Sequence, residues 1–316
     1  MNGGGAGDGP EDLDGLSVDA AVDAVDDGES DADEVRETLA IVAQDGTVRR
    51  AAVDDALANA SKVVTTAETR VELAAEQLTD ARETAAPVSD LDLVSVRSGE
   101  FAARLDAIED RASELGDDLQ AILAEKDDGD LYEIARRIRR VTNAARGVQR
   151  AADDLQFELD SFETWLADAD RRAAAIGDDV EAVAESLREL DDVAEELSGG
   201  SGDAESGPAD GWATAMVRHR VTGLMLADLR AELTALRRWA DRDGADPPAD
   251  VESRLDDLAA RHESVGERLT ERADPAWTDR FGDRLEALDG ALDEMEPPVA
   301  WSDVEAVIED HRPTVE

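Results

Sequence analysis

An apolar residue recurs between Leu131 and Leu197 at strictly alternating intervals of three and four residues. Only Leu, Ile, Val, Ala or Phe occupies these positions, which are 131, 134, 138, 141, 145, 148, 152, 155, 159, 162, 166, 169, 173, 176, 180, 183, 187, 190, 194 and 197. A 3.5-residue period sustained over so many turns predicts a left-handed coiled coil, because the apolar stripe of each helix must face a partner. No two-residue alternation typical of strands is found. The predicted fold class is therefore all-α: a long antiparallel heptad coiled coil or three-helix bundle, with a separate C-terminal helical bundle.

The same spacing divides the rest of the chain. It runs from Val53 to Ala85 and from Phe101 to Ile122, and Pro87 and the "KDDGD" stretch interrupt it. The predicted organisation is a disordered N-terminus over 1–15, a short helical cap over 16–50, a coiled-coil region over 51–198, a flexible linker over 199–211 and a C-terminal helical unit over 212–316. Within the coiled-coil region, we expect helices at about 51–86, 100–126 and 131–197.

The C-terminal unit differs from the coil in its apolar residues. It contains four of the five tryptophans, and helices are expected at about 212–241, 250–272, 276–294 and 302–310. Residues 166–197 extend beyond the two shorter coil helices, so this part of the apolar stripe needs another partner. We expect the C-terminal unit to fold back onto it in a monomer, because the short linker keeps Trp212 near Leu197, and the alternative is that a second copy covers it in a homodimer.

Charge indicates where such a chain is stable. There are 79 acidic and 32 basic residues, a formal net charge of −47, and the acids are spread along the chain. Repulsion at this density opposes a compact state in dilute buffer, whereas molar salt shortens the Debye length to about 3 Å and screens it. Only two basic residues are lysines. We therefore expect a protein of the salt-rich cytoplasm of a halophilic archaeon, the alternative being an acidic disordered chain.

Several classes of function lack their motifs. The chain has no cysteine, no apolar stretch of about 18 residues, and no basic and apolar start typical of a signal peptide. His219, His262 and His311 have no second metal ligand at a usual spacing, and no phosphate-binding loop or nucleophile motif occurs. The sequence predicts a cytoplasmic protein that is not an enzyme, with no catalytic residue, cofactor, metal or membrane insertion.

Six arginines stand out in this acidic chain as a candidate interaction surface. They are Arg136, Arg137, Arg139, Arg140, Arg146 and Arg150, and none lies on the apolar stripe. Residues 131–150 have a net charge of +5, from six arginines and one glutamate, and residues 100–126 have −5, from eight acids and three bases. We expect these two antiparallel helices to pair through their opposite charges. An acidic protein partner and, less compatible with the net charge, nucleic-acid phosphates are the alternatives.

The N-terminal helices allow another interpretation. A helix over 33–43, a turn at "QDG" and a helix from Thr47 onward have the order of a helix-turn-helix. A helical cap on the coiled coil is the competing interpretation, and the acidic character of residues 17–55 favours it.

The stretch "DGTVRRAAVDDALANASKVVTTAETRVELAAEQL" and the acidic coil that follows resemble a family of haloarchaeal proteins known as halo transducer proteins. This resemblance implies a connection with sensory transducers, whose cytoplasmic parts are long antiparallel helical hairpins. The expected function is that of a coiled-coil scaffold or adaptor with protein partners. A signal-transduction component and a nucleoid or DNA-associated accessory protein are the alternatives.

Overall fold

The computed structural model describes residues 13–25, 31–199 and 207–311. These residues confirm the all-α prediction. The helices are α1 (Val18–Val25), α2 (Ala32–Ala40), α3 (Ala52–Ala85), α4 (Asp92–Glu125), α5 (Leu131–Ala167), α6 (Ala169–Gly199), α7 (Pro208–Asp243), α8 (Val251–Glu271), α9 (Pro275–Asp293) and α10 (Trp301–His311). A 3-10 turn covers Ala86–Val88. Residues 1–12 of the predicted disordered segment and 200–206 of the predicted linker lie outside the described residues.

The chain forms two compact units. The first consists of Met1–Asp80 and Ala102–Asp160, and the second of Ala81–Phe101 and Ser161–Glu316.

A small β-hairpin lies at the N-terminal end of the first unit. Strands β1 (Ala43–Gln44) and β2 (Thr47–Val48) pair in antiparallel fashion around Asp45 and Gly46. Both turn residues have positive φ angles, 48° and 74°, which is the conformation that an Asp-Gly hairpin turn requires. The prediction of a helix starting at Thr47 was therefore wrong. The "QDG" stretch closes a hairpin, and α3 begins only at Ala52.

Helices α3, α4 and α5 form the bundle of the first unit. Gln149 of α5 donates to the carbonyl of Val63 in α3, and Gln156 of α5 to that of Arg70, so α3 and α5 run parallel. Lys126, which follows α4, bonds Asp54 near the start of α3 at 2.6 Å, which makes α4 antiparallel to α3. Every apolar-stripe residue of α5 from Leu131 to Leu159 is buried.

Helix α4 begins earlier than predicted. The expected loop before residue 100 already contains two helical turns from Asp92. Leu93 and Val94 are buried there, and the spacing from Val94 through Ser98 to Phe101 continues the stripe with one hydroxyl residue in it. A single small polar residue therefore does not end a helix in which the apolar spacing continues on both sides of it.

The predicted helix over 131–197 is divided at Asp168. The side chain of Asp168 accepts a hydrogen bond from the backbone N–H of Asp170 at 2.8 Å, which caps the start of α6. Arg172 donates to the carbonyl oxygens of Trp165 and Leu166, at 3.3 and 2.8 Å, and so satisfies the end of α5. Gly177 lies inside α6 and does not interrupt the helix. The break at Asp168 is nine residues earlier.

The second unit is built around α6. Its stripe residues Ile176, Val180, Val183, Leu187 and Leu190 are all fully buried. Helix α6 packs on α7 and α8, α7 also packs on α9, and α9 packs on α10. This intramolecular packing is the fold-back alternative that the sequence predicts for residues 166–197. Helix α7 begins at Pro208, inside the predicted linker, because Gly207 and a proline in the first turn favour a helix start.

Candidate interaction face

The row of six arginines follows the exposed side of α5 in the first unit. Arg136, Arg140, Arg146 and Arg150 are exposed, and Arg137 and Arg139 are half-buried. The predicted pairing with the preceding helix applies to only one of them. Arg137 forms an ion pair with Glu125 of α4 at 2.6 Å.

Two further arginines of the row have partners elsewhere. Arg136 pairs with Glu133 of its own helix at 2.8 Å. Arg139 reaches α2, where it pairs with Glu37 at 2.8 Å and donates to the hydroxyl of Thr38 at 2.9 Å. The expected pairing with 100–126 therefore holds for Arg137 alone, since Arg136 pairs within its own helix and Arg139 pairs with α2.

The other three arginines, Arg140, Arg146 and Arg150, form no ion pair with any residue that the structure describes. For Arg146 and Arg150 the reason lies in α3. The contact between Gln149 and Val63 brings this part of α5 beside residues 59–66 of α3. Asn59, Val63 and Thr66, spaced on one stripe of α3, carry no charge. This stripe of α3 therefore offers no carboxylate to Arg146 or Arg150, and among the described residues Arg146 donates only to the side-chain oxygen of Asn143 in its own helix.

An exposed apolar pair lies further along the same two helices. Arg70 pairs with Asp153 at 3.1 Å, and Gln77 bonds Asp160. Leu73 lies between Arg70 and Gln77 on one stripe of α3, as Phe157 lies between Asp153 and Asp160 on α5. Leu73 is 43% exposed and Phe157 is 73% exposed.

These two residues were not recognised in the sequence analysis. Both lie off the apolar stripe that fills the core, so the spacing of that stripe does not indicate them. The available signal was an aromatic residue at an outward heptad position in a chain with only 3% aromatic residues. We name the surface formed by Arg146, Arg150, Leu73 and Phe157 the α3–α5 face.

A cavity of about 660 Å³ opens at the other end of the arginine row. Arg136, Arg139 and Arg140 line it together with Asp31 and Glu34. Because carboxylates share its wall with the guanidinium groups, the cavity has no uniform positive field and does not favour a small anion.

Two histidines cross in the second unit, between α7 and α8. The Nε2 atom of His219 donates to the carbonyl of His262 at 3.0 Å, and Nε2 of His262 donates to the carbonyl of His219 at 2.8 Å. A glycine follows each histidine by four residues, in "HRVTG" and "HESVG". A Cβ on Gly266 would lie 2.7 Å from the His219 ring, and one on Gly223 would lie 3.2 Å from the His262 ring. The glycines therefore allow each imidazole to approach the opposite backbone.

A second polar cluster of this unit surrounds Arg97. The Arg97 guanidinium donates to the Glu232 carboxylate at 2.8 Å and lies over the Trp165 ring, 4.3 Å from the ring centre. Asp228 accepts hydrogen bonds from the backbone of Val299 and the indole of Trp301. A cavity of about 240 Å³ adjoins these groups.

Burial governs the protonation of this cluster. Burial raises the pKa of the Glu232 carboxyl, since this residue is only 4% exposed, although Arg97 opposes the shift. The pKa of Asp228 is also raised, chiefly by burial, against its hydrogen bonds from Val299 and Trp301. Each acid has identified protein partners, so the cluster is explained as a structural connection between helices of the second unit.

Within the described part of the chain, no three histidine, aspartate or glutamate side chains are placed to hold a metal ion. None of its helices is long and apolar enough to cross a bilayer. No protein-family model, curated protein or solved structure significantly matches the chain. The resemblance to halo transducer proteins therefore stays a prediction.

Proposed function

We propose that the chain is a non-enzymatic helical scaffold or adaptor that binds an acidic protein partner through the arginine row of α5. The observation that carries this proposal is the exposure of Arg140, Arg146 and Arg150, which have no carboxylate partner among the described residues. Most other arginines of the structure form ion pairs, as Arg104 does with Glu158 and Arg242 with Asp90.

The charge of the molecule supports a protein partner over nucleic acid. With a formal net charge of −47, the molecule repels a polyanion at long range. The exposed cations can still attract a short acidic segment that contacts them directly, because salt limits electrostatic interactions to about 3 Å at 1 M ionic strength and so screens the more distant acids of the molecule. The proposed partner therefore presents carboxylates on a limited surface.

The experiment is affinity purification of the full chain from its own cells in molar KCl, with recovered proteins identified by mass spectrometry. We expect a protein that is recovered with the wild type and lost with the Arg140→Gln, Arg146→Gln, Arg150→Gln triple variant. Arg111→Gln, at an exposed arginine of α4 in the same unit, is the control and should retain it. Direct binding of that protein, once purified, completes the test.

The other functions give different results. Signalling components recovered equally with the wild type and the triple variant would favour the transducer alternative and another binding surface. Chromosomal proteins or DNA would favour the nucleoid alternative. Loss of partners in the Arg111→Gln control would show that total charge matters and that the arginine row does not.

A further inference from the structure

We infer that the α3–α5 face is a docking site for an acidic amphipathic helix of a partner protein. This inference rests on the proposed function and identifies the kind of segment that is bound. It joins the two features of this face, the cations Arg146 and Arg150, which form no ion pair with a described residue, and the exposed side chains of Leu73 and Phe157.

The two features are continuous on α5. Residues 146, 150, 153 and 157 follow one another at intervals of four, three and four, so they lie on one stripe of the helix. Arg150 and Phe157 are exposed on it, and the Asp153 carboxylate between them is already neutralised by Arg70. A ligand can therefore run from the cations to the ring without meeting an uncompensated negative charge at Asp153.

The α3–α5 face also has a suitable length. Arg146 and Phe157 are eleven residues apart, which corresponds to about 16 Å along a helix. A partner helix of three to four turns spans that distance, with carboxylates at one end and an apolar side chain at the other. Recognition by one face of such a helix needs only the usual spacing of anchors at three and four residues.

Charge complementarity selects this partner over the alternatives. Nucleic acid has no aliphatic side chain to cover Leu73, and the formal net charge of −47 repels it. A second copy of the chain would need to place its own carboxylates over the cations and its own apolar groups over the ring. The acidic helix combines both contacts, and in high salt the apolar contact persists when the charges are screened.

The probe for the experiment is a fluorescein-labelled peptide of 21 residues, with Glu on its polar face and Leu at heptad spacing. Its control is a scrambled peptide of the same composition, which has equal charge but no apolar stripe. Fluorescence anisotropy with the full-length protein in 1 and 3 M KCl, where the protein is expected to be folded, measures both affinities. We expect the amphipathic peptide to bind about tenfold more tightly than the scrambled one, and to retain this ratio in 3 M KCl.

Variants separate the two contacts. Phe157→Ser should weaken binding of the amphipathic peptide about tenfold, since it removes a large apolar contact. Leu123→Ser, at another exposed apolar residue of the same unit that is 41% exposed, should leave the affinity unchanged. Arg146→Gln with Arg150→Gln should weaken binding at 1 M KCl and have a smaller effect at 3 M.

The inference and the proposed function fail in different ways. Equal binding of both peptides, reduced only by the arginine variants, would overturn the inference and leave the arginine row as a charge-only surface. Three other results would also overturn the inference. The first is no binding of the amphipathic peptide at 100 μM, and the second is a 20-base-pair duplex that binds more tightly than the peptide. The third is a concentration-dependent dimer that Phe157→Ser abolishes. Circular dichroism of each variant establishes that it is folded.

Discussion

The imidazole rings of His219 and His262 stack face to face with their centres 3.8 Å apart and their planes 8° from parallel. Both Nε2 atoms donate to backbone carbonyls, so the stacked state requires an N–H at each of these atoms. The burial of His219 lowers its pKa, and the neighbouring His262 and Arg220 act in the same direction. The hydrogen bond to the His262 backbone and the Asp289 carboxylate oppose this shift without reversing it.

We predict that the second unit loses stability through His219 as the pH falls from 8 to 5.5. The lowered pKa keeps His219 neutral in the folded protein, whereas the unfolded chain takes up the proton when the pH passes the ordinary histidine value. Protonation therefore favours unfolding over this interval. Thermal unfolding followed by tryptophan fluorescence in molar KCl should show a smaller decrease of the midpoint for His219→Asn than for the wild type.

Comparison with a variant is necessary because Asp228 and Glu232 act in the opposite direction. Their raised pKa values mean that the folded state takes up protons at a higher pH than the unfolded state, so acidification stabilises through them. His311→Asn on α10 is the control for loss of a histidine. An equal pH dependence in the wild type and in His219→Asn would contradict the prediction.

Gly266→Ala should destabilise the protein, in contrast to most substitutions of glycine by alanine in a helix. The new Cβ would lie 2.7 Å from Cε1 and Nε2 of His219, and displacing the ring breaks its hydrogen bond to the opposite helix. We expect a loss of about 1–2 kcal/mol in the free energy of unfolding. Urea denaturation in molar KCl measures it.

The matched control is Gly290→Ala in α9, where no atom lies within 4 Å of the new Cβ. Alanine should stabilise that helix by about 0.5–1 kcal/mol because it restricts the unfolded chain. The two variants thus change stability in opposite directions. A stabilising effect of Gly266→Ala would show that the histidine crossing contributes little.

Low salt should unfold the protein. The acids outnumber the bases by 79 to 32, so the negative side chains repel one another. Molar salt screens this repulsion, because the Debye length is about 3 Å at 1 M and grows to about 10 Å at 0.1 M. Helical circular dichroism should therefore decrease as KCl falls from 1 M to 0.1 M. Full helicity at 0.1 M would contradict the hypothesis of a halophilic protein.

The sequence predicted the core more successfully than the surface. The apolar stripe is a repeated local signal, and burial of its residues is the main driving force of folding, so positions such as Ile176 and Leu187 are buried as expected. The division at Asp168 was missed because the stripe continues through it in unbroken register. What ends α5 there is a capping carboxylate and the contact of Arg172 with two carbonyls, neither of which changes the apolar spacing.

The candidate site was only partly predictable, for a different reason. The six arginines were identified from composition, but their partners depend on which helices become neighbours, and Arg139 pairs across 102 residues of sequence. The reciprocal hydrogen bonds of His219 and His262 likewise depend on two short motifs that come into contact only when α7 and α8 pack together. Tertiary contacts of this kind leave little signal in a single sequence.

The ion pair of Arg97 and Glu232 gives the last prediction. Because the Glu232 side chain is 5% exposed, Arg97→Met leaves a buried carboxylate without its cation. The Arg97 side chain is itself 26% exposed, so we expect a loss of about 2–4 kcal/mol, below the full cost of an isolated buried charge. The double variant Arg97→Met, Glu232→Met removes both charges and should be closer to the wild type than Arg97→Met alone. Urea denaturation of the wild type, the two single variants Arg97→Met and Glu232→Met, and the double variant gives the coupling energy, and additive effects would show that the pair is not coupled.

The Arg97→Met variant should also gain stability on acidification, because the raised pKa of Glu232 lets the folded protein take up a proton at a higher pH than the unfolded chain does.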